Sequence, residues 1–168
     1  MVFNDVFLKD IASLVAKLMA ASAKTAPKAR GINNVRTIIL TDREELEKLA
    51  KKMEELASKY GGFYARDAKN IRESDAIVII GCKMVKYRIV QPEVWKISVD
   101  DVLSLLNLGI AIGSAVKTAS IHNVDNRVMM SAGVAAQELG LIDADIAMAI
   151  PLSIKGKNIF FDRRLVTT

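Results

Sequence analysis

A chain of 168 residues with one cysteine and one histidine excludes several chemistries before any pattern is read. One cysteine cannot close an intrachain disulfide, and it cannot supply the four thiolates of a zinc site or an iron–sulfur cluster. The lone histidine, His122, removes most mixed metal sites as well. No metal and no iron–sulfur cluster are therefore expected. Long apolar runs are also missing. The most apolar stretch, 102–116, is shorter than the ~20 residues that cross a bilayer, and Ser104, Asn107 and Ser114 interrupt it. Asn4, Asp5, Lys9 and Asp10 break any secretory h-region at the start. No membrane association is expected, and the cytoplasm is the expected location. Charge of one sign is not concentrated: the net charge is +5 without a block of like residues, which excludes a disordered chain and disfavours nucleic acid as a partner. Gly156-Lys157 continues into Asn158, so no Walker-type phosphate loop exists, and Gly-x-Gly-x-x-Gly is absent.

What the chain has in quantity is aliphatic surface. Hydrophobic residues make up 51%, and with tyrosine exchanged for glycine the share is roughly 55%, against 45–50% for ordinary soluble chains. The surplus implies a large core or a buried subunit interface within one domain, 1–168. Phe7, Ile11, Leu14, Val15 and Leu18 form the apolar face of an amphipathic helix to about Ala23. Val35–Leu40 reads as a strand, Asp42 as a cap, and the Lys/Glu-rich segment with Leu46, Leu49, Met53 and Leu56 as a helix ending at Gly61-Gly62. A shorter helix, 65–72, leads to a strand buried on both faces, 75–80. Residues 82–97 are irregular and basic, a lid or excursion containing Tyr87, Pro92 and Trp95. A long helix, 99–122, is apolar almost all round and should be buried, with Gly109, Gly113, Ser114, Ala115, Thr118 and Ala119 keeping one face small. Val124-Asp125-Asn126 reads as a turn; a further helix runs to Glu138, and a strand from Asp145 is halted by Pro151. Strands alternating with helices imply an α/β sheet.

The order of helix, Ala26-Pro27-Lys28-Ala29-Arg30-Gly31, strand and Thr41-Asp42, with an alanine- and glycine-rich helix later and a strand running into Pro151-Leu152, resembles the nitroreductase-like flavoproteins. That resemblance implies a three-layer α/β (α+β) sandwich with a mixed central sheet flanked by helices. The strings Gly109–Ala119, Val124-Asp125-Asn126-Arg127, Ile150–Ser153 and Gly156–Arg163 are similar to those of an uncharacterised prokaryotic family, domain of unknown function 2148, whose members are often described as containing a ferredoxin domain. Many members carry several cysteines between the second strand and the long helix. Here that region keeps only Cys82.

The flavoprotein resemblance implies FMN and sets Lys28, Arg30, Asn33 and Asn34 in the flavin-facing loop. The arginine pair that commonly holds the phosphate in those proteins is missing, and by their chemistry Lys155, Lys157, Arg163 or Arg164 substitute for it. Asn126, Arg127, Ser153 and Asn158 are further loop candidates that serve either a ligand or local turns. The sheet is expected to bring the Lys28/Arg30 loop and the 155–164 tail together around an anion. Cys82 reads either as a thiol activated by Lys83 or as a small residue at a strand end. The functional expectation is an FMN-dependent oxidoreductase-like redox protein, a homodimer with the small-residue helix near its interface, and with no catalytic residue assigned. The alternative is a non-enzymatic dimeric module that binds a redox partner protein.

Overall fold

The computed structural model describes residues 6–161. Helix α1 is Val6–Thr25, followed by strand β1 (Val35–Leu40), helices α2 (Arg43–Tyr60) and α3 (Phe63–Glu73), and strand β2 (Ala76–Cys82). Helix α4 (Val99–Ile121), the short strand β3 (Asp125–Asn126), helix α5 (Met130–Glu138) and strand β4 (Ile146–Ser153) complete the order. The strands form one sheet in the order β1, β2, β4, β3.

Local chemistry explains several boundaries. Asp42 Oδ1 accepts hydrogen bonds from the Glu44 and Glu45 amides at 2.8 and 3.4 Å, and the two glutamates complement the helix dipole at the start of α2. Leu46, Leu49, Ala50, Met53 and Leu56 turn inward along that helix, and it ends at Gly61, whose φ of 115° suits glycine. Strand β2 is buried at every position, as its unbroken apolar run predicts.

Period-two alternation divides the core in two. Ile77 and Ile79 of β2 and Ala147 and Ala149 of β4 face α2, α3 and α5. Val78, Ile80, Ile150 and Leu152 face α1 and α4. The result is the expected three-layer arrangement of helices on both faces of a sheet. Helix α5 lies directly on β4: a Cβ on Gly133 would sit 2.1 Å from the Ala147 carbonyl oxygen.

Four details differ from the sequence expectations. Every strand pairing among the described residues is antiparallel, so the parallel component of a mixed sheet is not found there. Two helices, α2 and α3, stand between β1 and β2 where a parallel crossover has one, so the chain turns back three times and β2 runs opposite to β1. Strand β4 continues through Pro151, partnered by Ile77, to Ser153, because the fixed φ of proline fits an extended strand. Asp125-Asn126 is not a free turn but a short edge strand paired with Ser153 and Leu152. On α1, Ala12, Val15, Ala16, Met19 and Ala23 are the buried residues, while Phe7 and Leu14 remain 51% and 57% exposed. Ala12, Ala16 and Ala23 let the helix approach the sheet and α4, with Val15 and Met19 filling the space between them, and Phe7, Ile11, Leu14 and Leu18 are left outside.

Helix α4 is long and apolar enough to cross a membrane by length and composition. It nevertheless packs on β2 and α1, with Ser104, Asn107, Leu108, Ala111, Ala115 and Ala119 buried and Ser22 and Thr118 hydroxyls 2.6 Å apart. Its burial is one-sided: Leu105, Leu106 and Ile110 are exposed, and Gly109 and Gly113 face open space.

Candidate functional site

The sheet register fixes where the candidate residues stand. At one end, Val35 pairs with Cys82 and Cys82 with Ile146; at the other, Leu40 pairs with Ile77 and Ala76 with Leu152. The loop 28–34 enters the sheet at the first end and the tail after Ser153 leaves it at the second. A six-residue strand separates them by roughly 20 Å. The two basic loops therefore do not converge within one chain, which corrects the expectation that the sheet brings them together. Arg163 lies outside the described residues.

At the first end the polar side chains are committed to the fold. Lys28 Nζ donates to the carbonyls of Ala23, Lys24 and Ala26 at 3.1, 2.8 and 2.7 Å, closing the end of α1. Partial burial, and then the charge of Lys24, pull its pKa below the ordinary lysine value. Asn34 is buried: its Nδ2 donates to the Lys83 carbonyl at 2.8 Å, and its Oδ1 accepts from Asn107 Nδ2 at 2.9 Å. Asn107 Nδ2 also donates to the Tyr87 hydroxyl at 2.9 Å, and Asn107 Oδ1 accepts from the Ala29 amide at 2.8 Å. One amide thus ties α4 to the first loop, the start of β1 and the excursion. Asn107 and Tyr87 were not singled out as a pair by the sequence, although an asparagine within an apolar helix is the signal for such a network. Arg30 donates to the Tyr87 carbonyl at 2.7 Å, and Asn33 is exposed.

The second end gathers the other candidates. Asn126 Nδ2 donates back to the Val124 carbonyl at 3.0 Å. Arg127 donates to the Phe160 carbonyl at 3.3 Å, lies 3.8 Å from Asp67, and stands over the Phe161 ring at 5.7 Å. Asp67 is buried, with Oδ2 accepting from Ser131 at 2.7 Å and Oδ1 paired with Arg66 at 2.9 Å. The tail continues from Ser153 through Lys155, which donates to the Glu73 carbonyl, and Lys157 to Asn158, whose Oδ1 accepts the Phe160 amide at 2.9 Å. Ser153 Oγ is fully buried and has no hydrogen-bond partner among the described residues. An orphaned hydroxyl at the root of a basic tail fits a polar or anionic ligand there.

Cys82 is buried between Val35 and Ile146. Burial first, and the Asp145 carboxylate second, push its thiol above the ordinary cysteine value. Lys83 does not activate it: the ammonium is held by Asp143 at 2.6 Å and Asp145 at 3.4 Å. The small-strand-residue reading of Cys82 is the one the structure supports. Asp145 Oδ2 also accepts the Met84 amide at 2.7 Å. His122 ends α4, its backbone amide donating to Thr118 and Ala119 carbonyls. No group of three or more His, Cys, Asp or Glu side chains among the described residues is placed to hold a metal.

Comparison with known proteins defines the class first. The chain has the nitroreductase-like fold. It superposes on a nitroreductase with bound FMN from Desulfitobacterium hafniense with a TM-score of 0.62 at 14% identity, covering 93% of this chain and 92% of that one. Against the NADPH:FMN oxidoreductase of Vibrio harveyi complexed with NAD+ the TM-score is 0.60 at 12% identity, covering 98% and 74%. Within that class, residues 100–163 match the family described as uncharacterised protein containing a ferredoxin domain (DUF2148). An uncharacterised protein of Archaeoglobus fulgidus is 37% identical over 175 residues, 94% of each chain. The chain belongs to this family.

The two groups these relatives suggest fit the residues unequally. A cluster held by cysteine needs four thiolates. The segment matching the ferredoxin-containing family holds no cysteine, and Cys82, outside it, is sealed in the sheet. An iron–sulfur cluster does not fit. The orphaned Ser153 hydroxyl and the basic tail fit the phosphate-bearing end of a flavin mononucleotide.

Proposed function

We propose that this protein is a flavin-binding redox protein that carries FMN and no iron–sulfur cluster. The carrying observation is the likeness to an FMN-bound nitroreductase fold over almost the whole chain, and the unpartnered Ser153 hydroxyl adds local support. Ser153, Lys155, Lys157 and Asn158, with Asn126 and Arg127, are assigned to the phosphate side. The 28–34 loop stands at the opposite sheet end, so Lys28, Arg30, Asn33 and Asn34 belong to the same site only if a second copy supplies them. The outward apolar residues of α1 and α4, Phe7, Leu14, Leu106 and Ile110 among them, support such a homodimer. Bound FMN supplies hydride or electron transfer, and the protein supplies position and electrostatics.

A second reading, a dimeric module that binds a redox partner protein without flavin, is favoured by one observation. Lys28 and Asn34 are already consumed by internal hydrogen bonds. Visible absorbance of the purified protein, flavin extraction, and iron and acid-labile sulfide assays on anaerobically prepared material decide between them. Bound FMN without iron supports the proposal; stoichiometric iron and sulfide overturns the cluster-free assignment. Sedimentation of a stable monomer at micromolar concentration removes the shared site.

A further inference from the structure

Arg30 and Arg88 are both exposed and both held in the left-handed backbone region at φ 53°. Such a conformation is unfavourable for a residue with a Cβ and persists where the surroundings impose it. The two are adjacent: Arg30 Nη1 donates at 2.7 Å to the Tyr87 carbonyl, part of the peptide that leads into Arg88. The platform beneath them is fixed. The Tyr87 amide donates to Asp100 Oδ1 at 2.8 Å, the Tyr87 hydroxyl accepts from Asn107, and the Val85 amide donates to Ser104 Oγ at 3.3 Å. Gln91 fastens the rest of the excursion, accepting the Val99 amide at 2.7 Å and donating to the Ile97 carbonyl at 3.0 Å.

Lys83 and Lys86, the lysines nearest this pair in the excursion, are matched by carboxylates, and Arg30 and Arg88 are not. Lys83 is paired with Asp143 and Asp145, and Lys86 with Asp100. Among the described residues Arg88 makes no ion pair and Arg30 bonds only a neutral carbonyl, and Glu93 is the one carboxylate in 83–98. Exposed Ile32, Ile89 and Val90 flank the pair.

We propose that Arg30 and Arg88 form an oxyanion clamp for a phosphorylated or otherwise anionic small molecule with an apolar body. Guanidinium forks suit phosphate and carboxylate oxygens, and a rigid platform keeps the ordering cost of binding low. The site is separate from the Ser153 end of the same chain. It deepens the flavin proposal only if the anion is FMN of a second copy; an anionic redox substrate is the other source of the same chemistry.

The experiment follows Trp95, which lies in the same excursion, by fluorescence during titration of the full chain with inorganic pyrophosphate, FMN and NADH in separate arms. Saturable, salt-sensitive binding is expected, weakened at least tenfold in Arg88→Gly and in Arg30→Ala. Arg88→Gly relieves the left-handed strain, so its Tm should rise while binding falls, an opposition that a purely structural arginine would not give. Pyrophosphate or NADH binding lost in Arg88→Gly while FMN binding persists assigns the clamp to a substrate; loss of FMN binding assigns it to the flavin. Absence of saturable binding in all arms, or unchanged affinity in both variants, overturns the clamp. The flavin proposal is judged separately by FMN content, so a failed clamp leaves it standing.

Discussion

Replacing Asn107 with alanine removes three hydrogen bonds at once, from the Ala29 amide and to Asn34 Oδ1 and Tyr87 Oη, all 2.8–2.9 Å long. Asn34, Tyr87 and Asn107 are all buried, so water does not readily replace the lost partner. A buried polar group left unpaired costs about 1–3 kcal/mol. Asn34 keeps its bond to the Lys83 carbonyl and the Tyr87 hydroxyl can rotate, so the cost falls short of three full penalties. The expected loss is ~3–5 kcal/mol, a large part of the ~5–15 kcal/mol that holds an ordinary domain together. Tyr87→Phe removes only one of the bonds and should cost ~1 kcal/mol. Urea denaturation with unchanged m-value is the assay. A double-mutant cycle with Asn34→Ala should show coupling of at least ~0.5 kcal/mol. An Asn107→Ala loss below ~1 kcal/mol, or strict additivity, would refute the network as the tie between α4 and the first loop.

Gly133→Ala forces a methyl into the Ala147 carbonyl and should cost upward of ~2 kcal/mol or prevent folding, read by thermal melting. The Cys82 thiol, buried and raised in pKa, should resist thiol reagents at neutral pH in the native protein and react on unfolding; rapid native labelling would contradict its sealing in the sheet. Asp145 is held below the ordinary carboxylate value by the Met84 amide and then by Lys83. Its contribution is present above the unfolded carboxylate pKa and is lost as pH falls through the lower folded value, so Asp145→Asn should shallow the acid limb of the stability curve. Asp67→Asn keeps the Ser131 bond but removes the charge that Arg66 and Arg127 face, and should lower stability by ~1–3 kcal/mol.

Strand β1, the capped helix α2 and the doubly buried β2 were legible because local pattern and tertiary environment agree there. Helix α1 was misjudged for a physical reason: hydrophobicity marks a face that wants cover without saying whether sheet or another surface covers it. Ala12 and Ala16 pack on the sheet because they are small, and Leu14 is left outside. Within the candidate site, the β3–β4 pairing sets Asn126 opposite Leu152, next to Ser153, while Arg127 turns to Asp67 and the Phe160 carbonyl. Lys28 and Asn34 carry the right side-chain chemistry for a ligand, but the nearest unpaired groups are the protein's own carbonyls and amides. The Arg30–Arg88 juxtaposition depends on a contact across 57 positions that no local motif encodes.

The flavin assignment is tested most directly by titrating the purified, flavin-stripped protein with FMN, riboflavin and inorganic phosphate while following thermal unfolding. At 100 times its dissociation constant FMN should add about 2.7 kcal/mol of stability, a shift of several degrees. FMN should bind more tightly than riboflavin, with the difference reduced in Ser153→Ala. No shift with FMN at saturating concentration, with none bound as purified, would contradict the assignment.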